Sequence, residues 1–159
     1  MSPIDSHAEV LKRLALVLAR KPGPEKKRGI TLARQITEAE HPAELLAPVL
    51  ELVSSSEWEE AEREIDRCAE AGVSLLSIFD RCYPPSLQEI IDPPLALYLC
   101  GTLPEEKGLA IVGSRKATQY GNTYAYALAE KLASFGVPVI SGLARGIDAA
   151  AHQGAADNN

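Results

Sequence analysis

Apolar positions recur every three or four residues through the first 72 residues of the chain. In the first segment this stripe consists of Val10, Leu11, Leu14 and Leu18. Such spacing is typical of amphipathic helices that bury one face against each other. We therefore expect a small helical bundle over residues 1–72.

The strongest helix signal in this bundle ends at Gly72. Ser56 and Glu59 have the spacing of a capping box, in which the serine and glutamate side chains satisfy the first backbone amides of a helix. Gly72 is suited to end the helix because its backbone readily adopts a left-handed conformation. The predicted buried face of this helix carries Trp58, Ala61, Ile65 and Cys68.

After residue 72 the helical spacing gives way to short apolar runs, which are typical of strands buried in an α/β sheet. Four such runs predict strands, at 73–78, 95–99, 109–112 and 137–140. We expect residues 73–159 to form a mainly parallel sheet in which the last two strands are neighbours.

A helix is predicted between those last two strands, over residues 123–135. Its apolar residues fall at intervals of four, four and three positions, which predicts one buried stripe. Gly136 follows directly and is expected to end the helix. The predicted stripe consists of Tyr124, Leu128, Leu132 and Phe135.

Each of the last two predicted strands is followed by a loop of small residues that contains one arginine. If the strands are parallel, both loops emerge at the same edge of the sheet, where α/β proteins bind ligands. Glycine lets a ligand approach the backbone closely, and arginine forks onto phosphate oxygens. Either loop alone is also compatible with tight turns and solvated arginines. Together they predict a phosphate-binding pocket made of Gly113, Ser114, Arg115, Ser141, Gly142, Arg145 and Gly146.

Residues for catalysis are sparse. We expect Asp148 to cap a helix that begins at Ala149, although its spacing from His152 would also allow an acid–base pair. No nucleophile–base pair is evident, and the three widely spaced cysteines form no metal-binding pattern. The sequence therefore favours a binding protein over an enzyme, with no catalytic residue, no metal and no cofactor.

Charge limits the kind of binding that is plausible. The chain carries a net charge of −6, which argues against a protein that coats nucleic acid by general attraction. Residues 113–159 contain four Lys or Arg and three Asp or Glu, whereas the preceding residues contain twelve and nineteen. Any anion site must therefore be a local pocket. No signal peptide or long apolar run is evident, so we expect a cytoplasmic protein without membrane association.

Four segments resemble the DprA/Smf family of bacterial DNA-processing proteins. GSRKATQYG at 113–121 and SGLARGIDAAAH at 141–152 resemble the two signature segments of that family, while YPPSL at 83–87 and DPPLALYLCG at 92–101 look like its entry segment. The resemblance implies a SAM-like helical module at 1–72, followed at 73–159 by a Rossmann-like domain. It also implies binding and protection of single-stranded DNA, and loading of the RecA recombinase during natural transformation.

The resemblance further implies a Rossmann-like domain that continues well past residue 159. We therefore expect a truncated, weakly active copy, in which the surfaces for RecA and for self-association are mostly missing. The alternative is a Rossmann-like nucleotide-binding protein or a phosphoribohydrolase of the Lonely Guy type. Those enzymes resemble this chain in their phosphate loops, but their PGGxGTxxE segment with its catalytic glutamate does not occur in the 159 residues.

Overall fold

The structure is a computed structural model that describes residues 8–39 and 42–158. The chain divides into a first unit, residues 1–102, and a second unit, residues 103–159. The helices and strands, in chain order, are α1 (Ala8–Arg20), α2 (Gly23–Glu38), α3 (Pro42–Leu50), α4 (Ser55–Glu70), β1 (Ser74–Ser77), α5 (Pro85–Gln88), β2 (Ala96–Leu99), β3 (Leu109–Ala110), α6 (Gln119–Ser134), β4 (Val139–Ile140) and α7 (Ile147–Ala156).

The first unit is built around α1. Leu11, Leu14 and Leu18 are buried, as the apolar stripe predicts, and they pack against buried residues of α2. The same core includes Ile78 and Leu95, which follow β1 and precede β2. These strand-flanking residues therefore bury their side chains against the helices of the first unit.

β1 and β2 correct the expectation of one mainly parallel sheet over 73–159. They pair with each other, antiparallel, with Ser74 opposite Leu99 and Ser77 opposite Ala96. Within the described residues they form a two-stranded sheet of their own, separate from the later strands. The predicted division between residues 72 and 73 accordingly falls inside the first unit, because this strand pair completes the helical core.

The capping box of α4 lies two residues earlier than predicted. Ser54, whose backbone is extended, accepts a hydrogen bond from the Glu57 N–H at 3.3 Å, and the Glu57 carboxylate accepts one from the Ser54 N–H at 3.0 Å. Three serines in a row offer the cap at this point of the sequence, and the backbone selects the first of them. The helix ends before Gly72, whose φ of +66° confirms its predicted role.

The second unit is a strand–helix–strand–helix arrangement. β3 and β4 are parallel neighbours, with Leu109 opposite Val139 and Ala110 opposite Ile140. They are shorter than predicted, two residues each. The chain is thus a mixed α/β protein with small sheets, and the extended Rossmann-like sheet stays a prediction.

The buried face of α6 agrees with the predicted stripe only at Leu132, which is partly buried against the core. Ala125 and Ala129 are buried, whereas Tyr124 is 62% exposed and Phe135 is 71% exposed. Small residues face inwards because α6 and α7 approach too closely for larger ones: a Cβ at Gly154 would lie 2.2 Å from the Tyr126 carbonyl oxygen. Spacing alone identified a helix here, but not which of its apolar stripes is buried.

Candidate functional site

The two predicted loops come together in the second unit. The first loop, residues 113–118, lies between β3 and α6, and the second loop, residues 141–146, connects β4 to α7. The Ile147 N–H donates to the Ser114 carbonyl oxygen at 3.3 Å, which joins the two loops directly. All seven residues predicted for the phosphate pocket therefore lie on adjoining loops at one edge of the β3–β4 pair.

Two glycines make this close approach possible. Gly146 has a φ of +84°, and a Cβ there would lie 2.2 Å from the Ser114 carbonyl oxygen. Gly113 faces Ile147, whose Cγ1 would lie 2.7 Å from an added Cβ. Glycine is needed at both positions by the contact between the loops. Their presence is therefore explained by packing, before any ligand is considered.

Asp148 holds the two loops at their glycines. Its carboxylate is buried in the structure and accepts a hydrogen bond from the Gly113 N–H at 3.3 Å and another from the Gly142 N–H at 3.2 Å. The expectation that Asp148 caps α7 is wrong, since the helix begins at Ile147 and its N-cap is Gly146. This earlier start places Asp148 inside the first turn, from which its side chain reaches back to both loops.

The two serines of the predicted pocket have different roles. The Ser141 hydroxyl donates to the Ile111 carbonyl oxygen at 2.7 Å, so its proton is used within the fold. The Ser114 oxygen accepts a hydrogen bond from the Lys116 N–H at 3.1 Å, and among the described residues its own proton has no acceptor. His152 contacts the Ser141 carbonyl oxygen at 3.2 Å through Nε2, so it serves the second loop.

Three cationic side chains are available at the loops. Arg115, Lys116 and Arg145 are exposed, and within the described residues none of them forms an ion pair or a side-chain hydrogen bond. Lys116 was not among the predicted site residues, although it directly follows Arg115 in the sequence. Neither loop contains an acidic residue. The exposed donors at this edge are therefore positive and suited to an anion.

Two other kinds of feature are absent from the described residues. Among the described residues, no group of three or more His, Cys, Asp or Glu side chains is placed to hold a metal ion. None of the helices in that part of the chain is long and apolar enough to cross a membrane. The positively charged side chains of the two loops can bind an anion.

Comparisons with known proteins place this chain in a family. Residues 74–159 match the family model described as DNA recombination-mediator protein A. The chain is 44% identical over 79 residues to Protein Smf of Escherichia coli K12, an alignment that covers 48% of this chain and 21% of that protein. It is 42% identical over 84 residues to DNA processing protein DprA of Streptococcus pneumoniae R6, covering 52% of this chain and 29% of that protein.

The fold of the chain is also similar to that of a solved structure. The X-ray structure of DNA processing protein A from Streptococcus pneumoniae aligns with a TM-score of 0.51 at 26% identity, over 99% of this chain and 56% of that chain. The alignments with the curated relatives cover only 13% to 32% of the length of those proteins. The family match includes both loops and covers more than half of the 159 residues, and this chain therefore belongs to the DNA recombination-mediator protein A family, the DprA/Smf proteins.

Proposed function

We propose that this protein binds single-stranded DNA through its phosphates, at the two joined loops of the second unit. The observation that carries the proposal is the set of three unpaired cations, Arg115, Lys116 and Arg145, on loops that contain no acidic residue. The relatives named DNA processing protein support DNA as the source of the phosphate. In this proposal the protein binds DNA and does not catalyse a reaction.

The contacts of the loops refine which groups would hold the phosphate. The amides of Gly113 and Gly142 already donate to Asp148, so they are not free to bind a ligand. The Arg115 guanidinium, with the Ser114 hydroxyl beside it, becomes the main donor, and Lys116 and Arg145 add charge. Charged side chains that reach phosphates without reading base edges favour binding that is largely independent of sequence.

We extend the proposal to the biological role that the family suggests. The protein would act in DNA uptake during transformation, where it would protect incoming single strands and help to load RecA onto them. Self-association belongs to the same proposal. These roles are proposed from relatives that the alignments cover over 21% and 29% of their own length.

Replacing Arg115 by alanine tests the site. We expect Arg115→Ala to weaken binding of oligothymidylate by about 1.5–3 kcal/mol, roughly ten- to a hundredfold, because a charge-assisted hydrogen bond to phosphate is lost. Filter binding at a fixed salt concentration measures the change. Arg63→Ala is the matched control, since it removes the same charge from an exposed position on α4.

Two outcomes would contradict the proposal. Equal affinities of the Arg115→Ala variant and the unaltered chain would exclude this pocket. Selective binding of nucleoside monophosphates over oligonucleotides in calorimetry, or release of free base from them, would instead favour the nucleotide-binding alternative of the Lonely Guy type.

A further inference from the structure

Two of the five tyrosines of the chain have no structural role that the contacts reveal. Tyr83 is buried and donates to the Pro94 carbonyl oxygen at 2.6 Å. The hydroxyls of Tyr98 and Tyr126 donate to Glu64 and Asp157. Tyr120 and Tyr124 differ, because neither hydroxyl has a hydrogen-bond partner among the described residues.

Tyr120 and Tyr124 form an exposed aromatic pair at the start of α6. Tyr120 is 79% exposed and Tyr124 is 62% exposed. Their rings stack on each other, with centroids 6.2 Å apart and planes inclined by 25°. An exposed aromatic pair buries little apolar area, so it contributes little to folding and is better explained by an external partner.

The position of the pair indicates what that partner is. Tyr120 is the second residue of α6, and the loop that carries Arg115 and Lys116 leads directly into this helix. Arg115 and Tyr120 are five positions apart in the sequence, so their Cα atoms lie within about 18 Å of each other. Aromatic rings next to free cations are the arrangement by which proteins hold single-stranded nucleic acid, since bases stack on the rings while phosphates meet the charges.

We propose that Tyr120 and Tyr124 form a stacking surface for the bases of the strand whose phosphates bind at Arg115. This inference rests on the proposed function and adds the group that recognises bases. Stacking accepts any base, since every base has a π-face. The surface would therefore favour single strands, whose bases are free to stack on the rings. It would bind more weakly to a sugar–phosphate backbone without bases and to duplex DNA.

The test compares oligothymidylate with an abasic oligomer of the same length, which has the phosphates but no bases. We expect Tyr120→Ala and Tyr124→Ala each to weaken oligothymidylate binding by roughly tenfold and to leave binding of the abasic oligomer unchanged. Tyr120→Phe and Tyr124→Phe should retain affinity, because they keep the ring. Phe135→Ala is the matched control, since Phe135 is an equally exposed aromatic residue at the far end of α6.

Fluorescence gives an independent measurement. Trp58 is the only tryptophan of the chain, so a Trp58→Phe, Tyr120→Trp variant reports on position 120 alone. We expect oligothymidylate to quench this tryptophan and the abasic oligomer to leave its emission unchanged. Quenching of the same size with both oligomers would overturn the inference.

The remaining outcomes separate this inference from the proposed function. If the unaltered chain binds neither oligomer, both are wrong. If it binds oligothymidylate and the alanine variants match it, or weaken both oligomers equally, the stacking surface alone is wrong. If sedimentation shows a dimer that Tyr120→Ala dissociates without changing DNA affinity, the pair is a contact between copies of the chain, and the inference also fails.

Discussion

At the scale of single residues, Asp148 does the most to define the candidate site. One buried carboxylate satisfies amides from two loops, Gly113 and Gly142, that are far apart in sequence. A hydrogen bond to a charged acceptor is stronger than one between neutral groups, so the two loops are held in one geometry before any ligand arrives. Binding then requires less ordering of the backbone.

Asp148→Asn should release one of the two loops. Asparagine has a single side-chain acceptor, and its amide group would face a backbone N–H, so we expect a loss of stability of about 1–3 kcal/mol for the group left without a partner. Amide hydrogen exchange at Gly113 and Gly142 measures the effect, and at least one of the two should exchange faster. Asp157→Asn, which removes the same charge at an exposed position, serves as the control. Unchanged protection at both glycines would show that Asp148 does not hold the loops.

At the scale of elements, several interactions stabilise the N-terminus of α4. The Lys21 ammonium bonds to the Glu57 carboxylate, which also accepts from the backbone and side chain of Ser54. These contacts lower the pKa of Glu57 from 4.5 to about 2. The bond to Lys21 has the largest effect, followed by the backbone and then the side chain of Ser54. The carboxylate is thus stabilised in its charged form at the positive end of the helix.

Acid should remove this contribution to stability. A carboxyl group whose pKa is lower in the folded state stabilises the fold above its unfolded value of 4.5 and loses that effect as the pH falls towards about 2. We expect the stability difference between the unaltered chain and Glu57→Gln to shrink across this range. Urea unfolding followed by Trp58 fluorescence reports it, because Trp58 is the next residue of α4.

Ser54→Ala provides the second arm of this experiment. It should cost about 1 kcal/mol, typical of a lost N-cap, and Ser56→Ala should cost less because Ser56 is not the cap. A larger effect of Ser56→Ala than of Ser54→Ala would contradict the observed capping box. A stability difference that stays constant down to low pH would contradict the lowered pKa of Glu57.

The elements also show what the sequence can predict. Leu11, Leu14 and Leu18 identified α1 and one of its buried faces, whereas the stripe did not predict the burial of Leu16 and Val17 in a second cluster. In α6 the same logic failed at Tyr124, because the close approach of α7 selects the alanine stripe. The site loops were recognised through their glycines and arginines, whereas the bridging role of Asp148 depends on where α7 begins, which spacing does not determine within a residue or two.

The antiparallel pairing of β1 and β2 was also beyond local reasoning. Their apolar runs predict strands at the right places, but not which partner each strand chooses. Leu75 and Leu95 are buried against the helices of the first unit, and that packing decides the pairing. Tertiary contacts between residues distant in sequence therefore account for most of the differences between the predicted and the observed fold.

At the scale of the whole molecule, charge is distributed against general attraction to DNA. The net charge is −6, yet the two loops carry three cations and no acid. The acidic remainder repels a polyanion at a distance, and only the local cluster attracts it. Affinity should therefore depend on a few close contacts.

This distribution leads to a specific dependence on salt. With three phosphates neutralised, the logarithm of the oligothymidylate binding constant should fall with the logarithm of salt concentration with a slope of about −2. Arg115→Ala should reduce the slope by about 0.7, and the alanine variants of the tyrosine pair should leave it unchanged. Titrations at several salt concentrations measure this, and a much steeper slope would mean that cations elsewhere on the chain take part.

The close contact between Gly154 and the Tyr126 carbonyl oxygen has a consequence for which substitutions the chain can tolerate. Any side chain at position 154 would push α6 and α7 apart, since even a Cβ would come within 2.2 Å of that oxygen. Each of these helices starts directly after one of the two loops, so we expect a wider helix pair to change the spacing of the loops that carry Arg115 and Arg145. We therefore expect a substitution at Gly154 to affect the spacing of the two arginines, although this position is remote from both loops. The exposed Tyr120 and Tyr124 of α6, by contrast, can be replaced without disturbing the fold.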